Sequence, residues 1–155
     1  MANIDVHFSS ARLGDKSKDE WETPPELFKR LNEVHNFTLD AAASKGNSLC
    51  ESFFTIEDNA LEKKWRGIVF MNPPYSKLAD FCRKAYNEVL AGNCEKVVAL
   101  LPARVDTKIF HECMYEDPYA RVEFLKGRLK FWKEGNPKPN SAPFPSMIVT
   151  WAKKF

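Results

Sequence analysis

The chain has 155 residues, 44% hydrophobic and 28% charged, with a net charge of +2. That length suits one domain able to bury about two-thirds of its unfolded surface, and the composition is ordinary for a soluble protein. No apolar run approaches membrane-spanning length and residues 1–18 carry no secretory pattern, so a cytoplasmic protein without membrane attachment is expected.

Cys50, Cys82, Cys94 and Cys113 are scattered, and His7, His35 and His111 add no ligand spacing. Reduced thiols and no metal site are expected. The charge is uneven. Residues 1–120 carry 15 Lys and Arg against 19 Asp and Glu, whereas residues 121–155 carry 8 against 2. A basic C-terminal part fits a phosphate-bearing partner, and it fits a solvated lysine-rich surface equally well.

Residues 1–18 are polar and aperiodic and read as a loose, flexible arm. Thr23 before Pro24 and Pro25, with Glu26 three residues on, reads as a capped helix start. Leu27, Phe28, Leu31 and Val34 then share one face of a helix over 24–34, which Asn36 ends. Phe37 to Leu39 reads as a short strand ending at Asp40, followed by Ala41, Ala42 and Ala43. Residues 45–55 are irregular. Asp58 opens a helical turn that ends near Trp65.

Ile68 to Met71 is a buried strand that stops at Asn72-Pro73-Pro74-Tyr75. Proline cannot donate to a ladder, so the strand ends there, and the residue before proline is held extended. Asn72 is therefore pinned at the strand's carboxyl end, where open α/β sheets bind ligands. The turn offers a carboxamide oxygen, proline carbonyls and an aromatic face. An exocyclic amine on a nucleobase is a poor nucleophile because its lone pair is delocalised into the ring. Two fixed acceptors, Asn72 Oδ1 and the Pro73 carbonyl, can hold its N–H groups and favour a pyramidal nitrogen, and Tyr75 can stack on the base.

Ser76 is placed to cap a helix over 77–90, which Gly92 ends. Val97 to Leu101 is a wholly apolar strand expected beside the Asn72 strand, ended by Pro102. The loop after it puts Arg104 and Lys108 at the same sheet edge, as phosphate contacts, and a surface salt bridge from Arg104 to Asp106 fits equally well. A short helix over 107–115 follows. Residues 121–125, 127–132 and 146–151 read as strands, with a proline-rich loop over 135–143 that carries Lys138. The domain is thus α/β and extends over residues 19–155.

Asn72-Pro73-Pro74-Tyr75 is the motif of amino-methyltransferases that use S-adenosylmethionine (SAM). The wider chain resembles the phage DNA N6-adenine methyltransferase (Dam) family in the segments 19–24, 37–44, 54–55, 58–61, Trp65, 72–76, 101–104 and 127–131. The resemblance implies a Rossmann-like SAM-dependent methyltransferase fold, with a mostly parallel sheet and an antiparallel edge. It also implies adenine N6 in DNA as the acceptor, and host cytoplasm for a phage-encoded enzyme. Asn72, Pro73, Pro74 and Tyr75 become the catalytic set. Trp21, Thr23 and Pro24 would border the methionine end of SAM. Asp40 would bind its ammonium or oppose its sulfonium, with Ala41 and Ala42 allowing close approach. Asp58 would accept from its adenine amine. Many SAM enzymes carry Gly-x-Gly where this chain has Asp40-Ala41-Ala42-Ala43-Ser44, as the phage family does. A ribose-binding acid falls to Glu51 or Glu57, with nothing to choose between them. Ser76, Lys77, Arg104, Lys108, Arg128 and Lys138 are the expected DNA contacts, on a monomer. Cytosine N4, RNA or protein glutamine as acceptor, or a non-catalytic DNA- or SAM-binding protein, are the alternatives.

Overall fold

The computed structural model describes residues 21–43 and 48–155. The expected arm, Asp19, Glu20 and Ser44 lie outside them. In chain order the elements are α1 (Pro25–His35), β1 (Leu39–Asp40), β2 (Ile68–Met71), α2 (Leu78–Leu90), β3 (Lys96–Pro102), α3 (Lys108–Cys113), β4 (Ala120–Phe124), β5 (Trp132–Lys133), β6 (Asn136–Pro137) and β7 (Ser146–Ala152). Single 3-10 turns lie at Ile56–Asp58, Ala60–Glu62 and Tyr75–Lys77. No helix among the described residues is long and apolar enough to cross a membrane.

Five strands form a mixed sheet in the order β1-β2-β3-β7-β4. β1, β2 and β3 are parallel, and β7 runs antiparallel between β3 and β4. Phe53 adds a parallel bridge to Asp40 outside β1. The apolar runs of β2 and β3 follow from burial on both faces. Val69, Met71, Val97, Ala99 and Leu101 point into a core with Trp65, α2 and α3. Phe70, Val98 and Leu100 point the other way, against Leu27 of α1, Phe131 and Phe144. Fully burying a side chain of this size contributes about 1.5–3 kcal/mol, so the centre of the sheet is the stable platform on which its edge loops sit. α2 also buries Glu88, whose carboxylate accepts from Trp65 N (2.6 Å) and Asn93 Nδ2 (2.8 Å) and lies 3.6 Å from Lys84 Nζ.

The structure departs from the sequence reading in five places. Thr23 and Glu26 do not cap α1; Pro24 is the N-cap residue and no side chain caps it. Pro24 and Pro25 have no N–H to satisfy, and the Pro24 carbonyl takes Leu27 N and Phe28 N (both 3.1 Å), so little is left for a cap to do. The buried stripe of α1 stops at Leu31, and Val34 is 74% exposed. Ser76 does not cap α2. The 3-10 turn comes first, closed by Lys77 N on the Pro74 carbonyl (3.0 Å), and α2 starts at Leu78. Residues 127–131 form no strand. They join the proline-rich loop through isolated bonds, Lys138 N to Phe131 O and Ala142 N to Leu129 O (both 2.8 Å), because Pro137, Pro139 and Pro143 remove the donors a ladder needs. Finally, the loop contains the β5–β6 hairpin. Its two-residue turn, Glu134 and Gly135, has φ of 52° and 79°, the pattern of a type I′ turn.

Candidate active site

The carboxyl ends of the parallel strands gather the candidate residues at one sheet edge. Asp40 closes β1 beside Phe70 of β2, and Ala41 N donates to Phe70 O (3.0 Å). Asn72 follows β2 directly. Arg104 follows β3. Asp58 lies beyond the segment that pairs with Asp40, since Asp40 N donates to Ser52 O (3.0 Å) and Phe54 N to Asp40 O (2.9 Å). Strands running the same way release their chains on the same side, so four loops converge there. Glu51 precedes that pairing. It lines a groove with Thr38, Lys64, Arg66 and Gly67 at the amino ends of β1 and β2. Glu57 is exposed on the turn that carries Asp58, after that pairing.

Asn72 is held through its amide nitrogen. Nδ2 donates to the Trp21 carbonyl (2.6 Å) and to Thr23 Oγ1 (3.1 Å). A backbone carbonyl can only accept, so the amide orientation follows from its partner. With both N–H groups used, Oδ1 is the group the side chain has to offer. Of the two proline carbonyls, that of Pro74 is taken by Lys77 N (3.0 Å), so it is not the free one.

Tyr75 is half-buried among aromatics. Its ring lies near-parallel to Trp21 (centroids 6.1 Å, 15°) and edge-on to Phe144 (5.5 Å, 75°). Trp21 in turn packs edge-on against Phe131 and Phe144 (5.4 and 5.3 Å), and Lys138 Nζ sits 3.8 Å from its ring centroid. Burial pushes the Tyr75 hydroxyl well above the usual tyrosine range, opposed by the charge of Arg104. Tyr75 is therefore a neutral stacking surface, and Arg104 stands close enough for its charge to be felt there.

Asp40 is 3% exposed. Its oxygens accept from Ala42 N and Leu49 N, both 3.2 Å. Burial raises its pKa from 3.8 to about 6, although both N–H groups favour the charged form. No cation pairs with it among the described residues. The same carboxylate, after burial, helps push the Cys50 thiol up to about 11. A buried anion that lacks a counter-charge is poised for a cationic ligand group.

Asp58 differs. It is exposed, and its Oδ2 accepts from Thr55 N (2.8 Å) and Thr55 Oγ1 (3.1 Å). Those bonds hold its carboxyl below the usual range and close its own turn. Trp65 pins the neighbouring turn from beneath, with Nε1 donating to Ala60 O (2.9 Å).

The expected DNA contacts divide. Ser76 and Lys77 are exposed on the turn after Tyr75, and Arg104 is half-buried beside it. Lys108 is exposed and 3.9 Å from Glu112. Arg128 is exposed with Nη1 3.5 Å from Ala142 O. Lys138 lies on Trp21. Two contributors gave no sequence signal. Leu49 reaches Asp40 from an irregular segment. Glu22 bridges to Trp132, and its carboxylate accepts from Glu134 N (3.0 Å) and Gly135 N (3.1 Å). No spacing rule connects residues that far apart.

The family whose description is DNA N-6-adenine-methyltransferase (Dam) matches residues 10–155, which include every residue of this edge. The chain belongs to that family. It is 38% identical over 108 residues to the DNA N-6-adenine-methyltransferase of Escherichia phage T1, a match covering 68% of this chain and 44% of that protein. It is 36% identical over 131 residues to the DNA N-6-adenine-methyltransferase of Haemophilus phage HP1 (strain HP1c1), covering 79% and 75%. The matched part therefore spans less than half of the phage T1 protein and three-quarters of the phage HP1 one. A Dam family member uses a methyl donor.

Proposed function

We propose that the chain transfers a methyl group from SAM to the N6 amine of adenine in DNA, on a Rossmann-like methyltransferase fold. The observation that carries this is the commitment of both Asn72 N–H groups to Trp21 and Thr23, which leaves a fixed acceptor beside Tyr75. Family membership and the similarity to two proteins named for this activity support the same reading. So does the sheet, with its parallel ladder and one antiparallel strand inserted near the edge.

The residues present fit SAM. Asp40 is a buried carboxylate with no cation on it among the described residues, suited to the ammonium or the sulfonium. Ala42 beside it is small and half-buried, whereas Ala41 is packed into the core with its N–H on Phe70 O, so only Ala42 is left to allow close approach. Trp21, Pro24 and Asp58 complete the proposed cofactor side, while the Thr23 hydroxyl is turned to Asn72 instead. When bound, SAM supplies an electrophilic methyl group and a neutral thioether leaving group. The target adenine must leave the duplex stack to reach the site. Asn72 Oδ1 and the Pro73 carbonyl accept from its N6 hydrogens and Pro74 stiffens the turn, while Tyr75 stacks on the ring. The nitrogen lone pair would take the methyl group, the donor's S–C bond giving way to the new N–C bond, and the extra proton would then leave to water. No covalent link to the protein is required. Ser76, Lys77, Arg104, Lys108, Arg128 and Lys138 are the proposed phosphate contacts.

The test is methyl transfer from radiolabelled SAM to unmethylated DNA, followed by nucleoside mass spectrometry. N6-methyladenine from the wild type, lost in Asn72→Ala, is the expected result. Label on cytosine moves the acceptor. SAM binding without label on DNA, RNA or protein overturns the enzyme reading.

A further inference from the structure

Resting on that reading, we propose that Thr23 is a positioning residue for Asn72: its hydroxyl, with the Trp21 carbonyl, fixes the carboxamide so that Oδ1 faces the acceptor amine. An asparagine amide has two nearly isosteric orientations, related by a half-turn about its last bond. Only one presents an acceptor to an amine; the other presents a second donor and repels it. Thr23 is 7% exposed, so water cannot readily take the place of its hydroxyl. The reversed amide would set Oδ1 against the Trp21 carbonyl, where the present contact is 2.6 Å, with no proton between the oxygens.

The anchor is itself rigid. Glu22 exchanges both backbone bonds with Trp132 (2.9 and 3.0 Å), and its carboxylate grips the hairpin turn at Glu134 and Gly135. Trp21 is fixed by rings on several sides, and its indole N–H is buried without a partner among the described residues. The segment is thus oriented by its backbone and rings, and what it presents to Asn72 is a carbonyl and a hydroxyl. Both groups suit an amide, and the carbonyl, which can only accept, would repel a carboxylate at position 72.

The first measurement needs no variant at Thr23. In 15N-labelled protein without ligands, the Asn72 side-chain amide pair, identified by its absence in Asn72→Ala, should exchange slowly with solvent. Thr23→Val then keeps the volume and removes the hydroxyl. Faster exchange is expected, with kcat lower by ~10-fold and the dissociation constant of SAM changed by less than about 2-fold. Thr23→Ser should restore both exchange and kcat. Fast exchange in the wild type overturns the proposal. So does a Thr23→Val protein whose SAM affinity falls while the amide pair is unmoved, because that is a cofactor contact. If the wild type methylates no DNA, the proposed function fails, and the amide exchange still decides whether Thr23 holds Asn72.

Discussion

Asp40 should give the fold a distinctive pH dependence. In the unfolded chain its carboxyl titrates near 3.8, and burial raises this to about 6 in the fold. Between those values the folded state binds the proton more tightly, so this group's contribution to stability is fully present below about pH 4 and is lost as the pH rises through 6. Ionising the buried carboxyl at neutral pH then costs about 3 kcal/mol, a substantial part of the 5–15 kcal/mol typical of a domain. Glu88 runs the opposite way. Burial alone would raise it, but the bonds from Trp65 N and Asn93 and the Lys84 charge hold it below its usual 4.5. Its stabilisation is lost only as the pH falls through that lower value. The assay is urea unfolding of wild type and Asp40→Asn from about pH 4 to about pH 7. Asn loses an acceptor for either Ala42 N or Leu49 N, a fixed cost of about 1–3 kcal/mol. The pH-dependent part of the difference isolates Asp40: the variant should gain about 2.5 kcal/mol relative to wild type across the range. A difference that stays flat refutes the reasoning. Saturating SAM should shrink the slope by bringing a positive group to the carboxylate.

Further expectations concern the scaffold and the acceptor. Asn72→Asp removes both donors and sets a carboxylate against the Trp21 carbonyl, so methyl transfer should fall by about 10- to 100-fold with SAM affinity retained by calorimetry. Gly67 has φ of +72°, and a Cβ there would collide with the Thr38 hydroxyl, which bonds both Ile68 N (3.0 Å) and Ile68 O (3.2 Å). Gly67→Ala should cost about 1 kcal/mol or more in urea unfolding, through the positive φ and the clash. Glu22→Ala removes the acceptor for two hairpin N–H groups. It should lower the Tm by about 2–4 °C and weaken catalysis more than SAM binding.

The parts of the fold that were legible in the sequence are those whose pattern is local. β2 and β3 were visible as apolar runs because both faces are covered, and the Asn72 turn because two prolines end a strand in one place. The misreadings share a cause. Thr23 looked like a helix cap because the spacing to Glu26 matched, but the prolines left nothing to cap and its hydroxyl went to a residue 49 positions away. Ser76 looked like a cap for the same local reason, while the Pro74 carbonyl closed the turn first. The β5–β6 hairpin carries Glu134-Gly135 in place of the usual Asn-Gly signal, and proline-rich flanks masked it. At the site, Asp40 and Asn72 were found from strand ends. Their partners Leu49, Trp21 and Thr23 are set by tertiary packing, which no spacing rule encodes.

The placement of β7 has a consequence for how the protein is made. β4 hydrogen-bonds within the sheet only through β7, and β7 pairs Lys96 with Ala152 and Pro102 with Ser146. The strand that joins the edge strand β4 to β3 is therefore synthesised after both of them. Until the ribosome has passed residue 152, β3 has an open flank and β4 has no neighbour, so a nascent chain carries two sticky edges. Contacts this distant in sequence also form slowly, because the loop between them must close first. Chaperone dependence during synthesis is the expected physiological cost of this topology.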